Sequence, residues 1–116
     1  PLAKRVTSYL DGNYTEPISL QDLSANCNVS AYYLAHVFKD CYGYSPMQYI
    51  LRRRIGEAQS LLINTSLSIT DIATHVGYDH PSHFNRQFSK YVGLAPRKYR
   101  IDYIASKESG DIPPAP

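Results

Sequence analysis

The chain repeats itself, and that self-similarity constrains its fold more than any other feature of the sequence. Residues 18–50 recur at 67–100. The run ISLQDLSANCNVS, Ile18 to Ser30, matches LSITDIATHVGYD, Leu67 to Asp79, at an offset of 49, pairing Leu20 with Ile69, Asp22 with Asp71 and Leu23 with Ile72. After a one-residue insertion the offset is 50, and Leu34 pairs with Phe84, Phe38 with Phe88, Gly43 with Gly93, Pro46 with Pro96 and Tyr49 with Tyr99. A chain of 116 residues with two such copies has room for two helical subdomains with modest cores, and little room for a deep enzyme cleft.

Each copy reads as helix, tight turn, helix. Ser19 and Ser68 each stand three residues before an aspartate, a spacing that lets the hydroxyl accept an amide while the carboxylate favours the helix N-terminus. First helices therefore start near Leu20 and Ile69 and stop at Asn28 and Gly77, residues that tolerate a left-handed backbone. Ser30 caps the second helix of copy one, and Asp79 or His80 that of copy two, with Pro81 accommodated in the first turn. These second helices run to about Tyr42 and Tyr91, ended by Gly43 and Gly93, and Pro46 and Pro96 open the next ones. From Pro46 an amphipathic helix of about 18 residues carries Ile50, Leu51, Ile55, Ala58, Leu61 and Leu62 at three- and four-residue steps. Another helix opens the chain at Leu2 to Asn13.

The expectation is an all-α fold of about seven helices, made of two homeodomain-like helix-turn-helix subdomains joined by a long linker helix. The divisions are 1–45 for the first subdomain, 46–64 for the linker, 65–104 for the second, and 105–116 for a disordered, solvated tail.

Charge narrows the partner. Residues 30–100 hold nine Lys or Arg against four Asp or Glu, while the two ends together hold three basic and six acidic residues. A basic middle on a chain of net charge +2 suggests a polyanion. No apolar run is long enough to span a membrane. Pro1 stands where a methionine would start a protein, so the chain is expected to be a piece of a longer intracellular protein whose remainder lies upstream. Cys27 and Cys41 have no CxxC spacing and read as two reduced core residues.

A helix-turn-helix places its second helix in the major groove, so the outward side chains of that helix are the candidate readers. At about 100° per residue, Leu34, Val37, Phe38 and Cys41 gather inward in copy one, leaving Tyr32, His36 and Lys39 opposite with Ala35 and Asp40 beside them. In copy two Phe84, Phe88 and Tyr91 gather inward, leaving Ser82, Arg86 and Ser89 opposite, with Asn85 and Lys90 flanking. The base-contact candidates are Tyr32, Ala35, His36, Ser82, Asn85 and Arg86. Arg86 leads them because its guanidinium can pair bidentately with guanine, as Asn85 can with adenine; a solvated residue or a phosphate clamp is the alternative for Arg86. Ser30, Lys39, Lys90, Arg97 and Lys98 are the phosphate candidates.

Arg52, Arg53 and Arg54 span about 200° of a helix, so at most two can face one partner, and one can pair with Glu57. His75, His80 and His83 have neither a cysteine pair nor HExxH spacing, and no metal site or other cofactor is expected from them. Without GxSxG, a Walker A loop or a carboxylate pair in a cleft, no catalytic residue is assigned and no enzyme is expected.

The second copy, SITDIATHVGYDHPSHFNRQFSKYVGLAPRKYR from Ser68 to Arg100, carries the densest pattern: IA and VG, then Phe84 and Phe88, then Gly93, Pro96, Tyr99 and Arg100. In this it resembles the AraC/XylS family of bacterial regulators, and the resemblance covers about residues 2–103. Tyr78 stands where the family usually has phenylalanine and Ala95 where it has serine, while Pro81 and Ala35 replace polar or long side chains found in some members. The resemblance implies a seven-helix DNA-binding domain whose two recognition helices enter successive major grooves of double-stranded DNA. It implies a cytoplasmic, nucleoid-associated regulator, more often activator than repressor, with a separate sensing or dimerisation domain and RNA polymerase as partner of the whole protein. The fragment itself is expected to be monomeric, since both reading units lie in one chain and no heptad seam is present. The competing reading is a helical protein-interaction module without sequence-specific DNA binding.

Overall fold

The computed structural model describes residues 1–110. Among them are seven helices and no strand: α1 (Leu2–Asn13), α2 (Leu20–Cys27), α3 (Ala31–Tyr42), α4 (Pro46–Asn64), α5 (Ile69–His75), α6 (Pro81–Val92) and α7 (Pro96–Ser109). They form two compact units, Pro1–Arg54 and the chain from Ile55 onward, and the division falls inside α4.

In the first unit α1 packs on α2 and α3, and α2 on α3. Its core is Val6, Leu10, Leu23, Cys27, Leu34, Phe38 and Ile50. Ser19 makes the cap read from the sequence, and the structure makes it reciprocal: the Ser19 hydroxyl accepts the Asp22 amide at 3.1 Å, and the Asp22 carboxylate also accepts the Ser19 amide at 2.9 Å. Hydrogen bonding to Ser19, from its backbone amide first and its side chain second, holds the Asp22 pKa below its ordinary value. Asn28 then takes the left-handed backbone at φ 55°, the turn between α2 and α3.

Three tethers tie α4 to the end of α1. Tyr49 donates from its hydroxyl to Asp11 Oδ1 at 2.6 Å. The Arg53 Nε lies 3.1 Å from the same oxygen, an ion pair without hydrogen-bond alignment, and its guanidinium stacks over Tyr14. Arg54 donates to the Tyr14 carbonyl at 2.6 Å and to the Glu16 carbonyl at 3.0 Å, satisfying groups that the helix end leaves unpaired.

Burial first, then the bond to Asp11 and its charge, push the Tyr49 phenol from 10.0 up to about 12, with Arg53 pulling the other way. A phenol that ionises less readily when folded contributes stability that is fully present below its unfolded pKa and lost as pH rises through the folded value. The first unit is therefore expected to weaken between about pH 10 and 12. Tyr49→Phe should flatten that loss and cost about 1 kcal/mol at neutral pH, read from thermal melts of both forms across the range.

The second unit repeats the plan. Here α5 packs on α6 and α6 on α7, and Ile55, Ala58, Leu62, Ile72, Ala73, Val76, Tyr78, Phe84 and Phe88 are buried. The Ser68 hydroxyl caps α5 by accepting the Asp71 amide at 3.0 Å, and Gly77 turns the chain at φ 107°. Phe88 meets Phe84 at 5.7 Å and Tyr99 at 5.6 Å between ring centroids. Arg100 donates to the Leu62 carbonyl at 2.9 Å and to the Thr65 carbonyl at 3.2 Å, doing at the end of α4 what Arg54 does after α1.

Three expectations about packing change. Cys41 is exposed while Cys27 is buried, so only one cysteine is a core residue. Tyr91 is 49% exposed rather than turned inward. Both lie about two turns or more beyond the leading core residue of their helix, where the wheel still points inward but the partner helices no longer cover it. The tail expected from residue 105 is helical through Ser109, because α7 continues to its Gly110 cap; residues 111–116 lie outside the described residues.

Candidate nucleic-acid interface

The second helix of each unit carries its outward residues on a scaffold fixed by the buried ones. In α3, Leu34 and Phe38 are buried, and Tyr32, His36 and Lys39 are exposed, with Ala35 half-buried between them. Tyr32 is 75% exposed, and its ring lies 4.2 Å from that of His36, so the two form one aromatic surface. In α6, Phe84 and Phe88 are buried, and Ser82, Asn85, Arg86 and Lys90 are exposed, with Ser89 half-buried. All six base-contact candidates therefore lie on the outer side of their helices or at its edge.

The phosphate candidates differ in what already engages them. Ser30 accepts the Tyr33 amide at 3.1 Å as the cap of α3. Lys39 and Arg97 are exposed. Lys90 stands 5.9 Å from the Tyr91 ring centre, and Lys98 is paired with Asp102 at 2.7 Å, one turn along α7. An exposed pair of that kind contributes at most about 1 kcal/mol, so a phosphate can compete for the ammonium.

Of the two cap positions read for α6, the structure takes His80, with no side-chain hydrogen bond, and Pro81 takes the first helical position. Gln87, next to the outward face, accepts a hydrogen bond from the buried Tyr78 hydroxyl, which turns its amide oxygen inward.

The triplet Arg52, Arg53 and Arg54 is engaged within the first unit: Arg52 lies over the Tyr44 ring at 4.5 Å, Arg53 meets Asp11, and Arg54 meets the two carbonyls. Among the described residues no group of three His, Cys, Asp or Glu can hold a metal ion, and no helix is long and apolar enough to cross a membrane.

Two outward residues escaped the sequence reading. Tyr33, 55% exposed, and His83 occupy the same repeat position in the first turn of α3 and α6. His83 also packs edge-on against Tyr78 at 5.2 Å. The repeat pairing itself was the signal for them, since the wheel alone leaves both beside the outward face.

A family model described as a helix-turn-helix domain matches residues 23–101. An uncharacterized HTH-type transcriptional regulator of Escherichia coli strain K12, YdiP, is 40% identical over 102 residues, which are 88% of this chain and 34% of that protein. The chain thus spans about a third of that relative's length. The DNA-binding domain of AdpA, a global transcriptional factor solved with a target DNA, superposes with a TM-score of 0.83 at 27% identity, covering 93% of this chain and 96% of that one. A Chromobacterium violaceum transcriptional regulator described as an AraC-type DNA-binding domain-containing protein gives a TM-score of 0.79 at 31% identity, over 87% and 90% of the two chains. With seven helices in two capped helix-turn-helix units and a family match across both, this chain belongs to the AraC/XylS family of transcription regulators and forms their helix-turn-helix DNA-binding domain.

Proposed function

We propose that this chain reads DNA sequence for a bacterial transcription regulator by setting α3 and α6 into successive major grooves. The observation that carries the reading is positional equivalence: the outward residues of α3 and α6 fall at the same repeat positions, over buried residues that also correspond. Tyr32, Ala35, His36, Ser82, Asn85 and Arg86 contact bases, and Ser30, Lys39, Lys90, Arg97 and Lys98 contact phosphates. Residues 46–64 serve as the connecting helix. The chain binds as a monomer, because one chain supplies both reading helices. In the whole protein the bound domain works through contact with RNA polymerase in the bacterial cytoplasm.

Selection of binding sites from a randomised duplex pool tests this. Two short enriched motifs about ten base pairs apart, bound with an affinity that falls steeply with salt, are the expected result. Absence of any enriched motif would transfer the chain to the protein-interaction reading.

A further inference from the structure

The two reading helices are equivalent in place and opposite in chemistry. By the repeat offset of 50, Tyr32 corresponds to Ser82, Ala35 to Asn85 and His36 to Arg86. Where α6 exposes a hydroxyl, an amide and a guanidinium, α3 offers a phenol ring, a methyl group and an imidazole. The Tyr32 and His36 rings are in contact, at 4.2 Å and 48° between planes, and Tyr32 is the most exposed large apolar side chain among the described residues at 75%. Tyr33, 55% exposed, widens the same end of the helix. Most of this aromatic surface is open to solvent.

In the major groove the one apolar mark on a base edge is the thymine C5-methyl, which is read by contact with apolar side chains; guanine N7 and O6 and adenine N6 and N7 are read by Arg, Asn or Gln. The α3 surface lacks both of the long fork-shaped donors that α6 has at the matching positions. We infer that the two units read different base chemistry: α3 recognises thymine methyl groups through Tyr32, with His36 bracing its ring, while α6 recognises purine edges by hydrogen bonds. This rests on the DNA-reading function proposed above and specifies what each half of the site must contain.

The test uses the 116-residue chain and the duplex recovered by selection. Deoxyuridine replaces thymidine in each motif in turn, which deletes only the methyl group, and 7-deazaguanine replaces guanine, which deletes only the N7 acceptor. Uracil in one motif is expected to weaken binding about fourfold per contacted methyl, and Tyr32→Ala should erase that sensitivity. In the other motif uracil should be silent, 7-deazaguanine should cost roughly fivefold or more, and Arg86→Ala should erase that cost. Uracil silent in both motifs, or equally costly in both, overturns the inference while leaving DNA reading intact. So does a uracil effect that survives Tyr32→Ala, since the methyl would then be read by another side chain. A pool with no enriched motif removes the proposed function itself, and the division of labour with it.

Discussion

Arg86→Ala is expected to lower affinity for the selected site by about five- to 150-fold while changing affinity for unrelated DNA far less. A bidentate guanidinium–guanine pair is worth roughly 1–3 kcal/mol of discrimination, and alanine removes both donors. The position favours this outcome, because Arg86 is exposed on α6 between the buried Phe84 and Phe88, which hold its backbone in place. Lys90→Ala supplies the contrast. A phosphate contact carries no sequence information, so its loss should weaken specific and non-specific binding by similar factors and reduce the salt dependence. Titrations of both variants against the selected and a scrambled duplex at two salt concentrations read the difference. If the two substitutions lower the two affinities in the same ratio, Arg86 is a phosphate clamp and not a reader.

The largest effect on stability should come from Phe88→Ala. Truncating a fully buried phenylalanine costs about 3–5 kcal/mol through lost transfer energy and the cavity left behind. Phe88 is wholly buried and meets Phe84 and Tyr99, so the cavity would open under α6 where it faces α7. A unit of some sixty residues has a total stability of only about 3–9 kcal/mol, and the substitution is expected to consume most of it. Thermal melts followed by circular dichroism should show loss of roughly half the cooperative signal. Tyr91→Ala, three residues along the same helix but exposed, should change stability by about 0.5 kcal/mol or less.

The elements were legible in the sequence wherever a local signal marks them. Ser19 and Ser68 announced their helices by their spacing to an aspartate, and Ser30 by its residue type after the turn, because a cap is made within four residues. The repeat then transferred each boundary from one copy to the other. Coverage by neighbours was less legible: a helical wheel says which way Cys41 and Tyr91 point, not whether another helix reaches them. The end of α7 was missed for a related reason, since the polar run from Ala105 to Ser109 looks like solvated chain and is equally a solvated last turn. The arginine clamps left no trace in the repeat. Arg54 and Arg100 differ by 46 positions, not 49 or 50, so an alignment sets neither against the other; they share a role because each reaches back to the end of the helix that begins its own unit.

That shared role exposes the double duty of α4. Its first half carries Ile50 into one core, and its second half carries Ile55, Ala58 and Leu62, buried at the same three- and four-residue steps as Ala3, Val6 and Leu10 in α1. One continuous helix is thus the closing element of one unit and the opening element of the next. Helix formation is cooperative, so melting of either core strips tertiary support from half of α4 and invites fraying into the half the other core depends on. A substitution in α4 that loosens one core should therefore be felt in the other as a lowered melting temperature, while each core keeps a transition of its own.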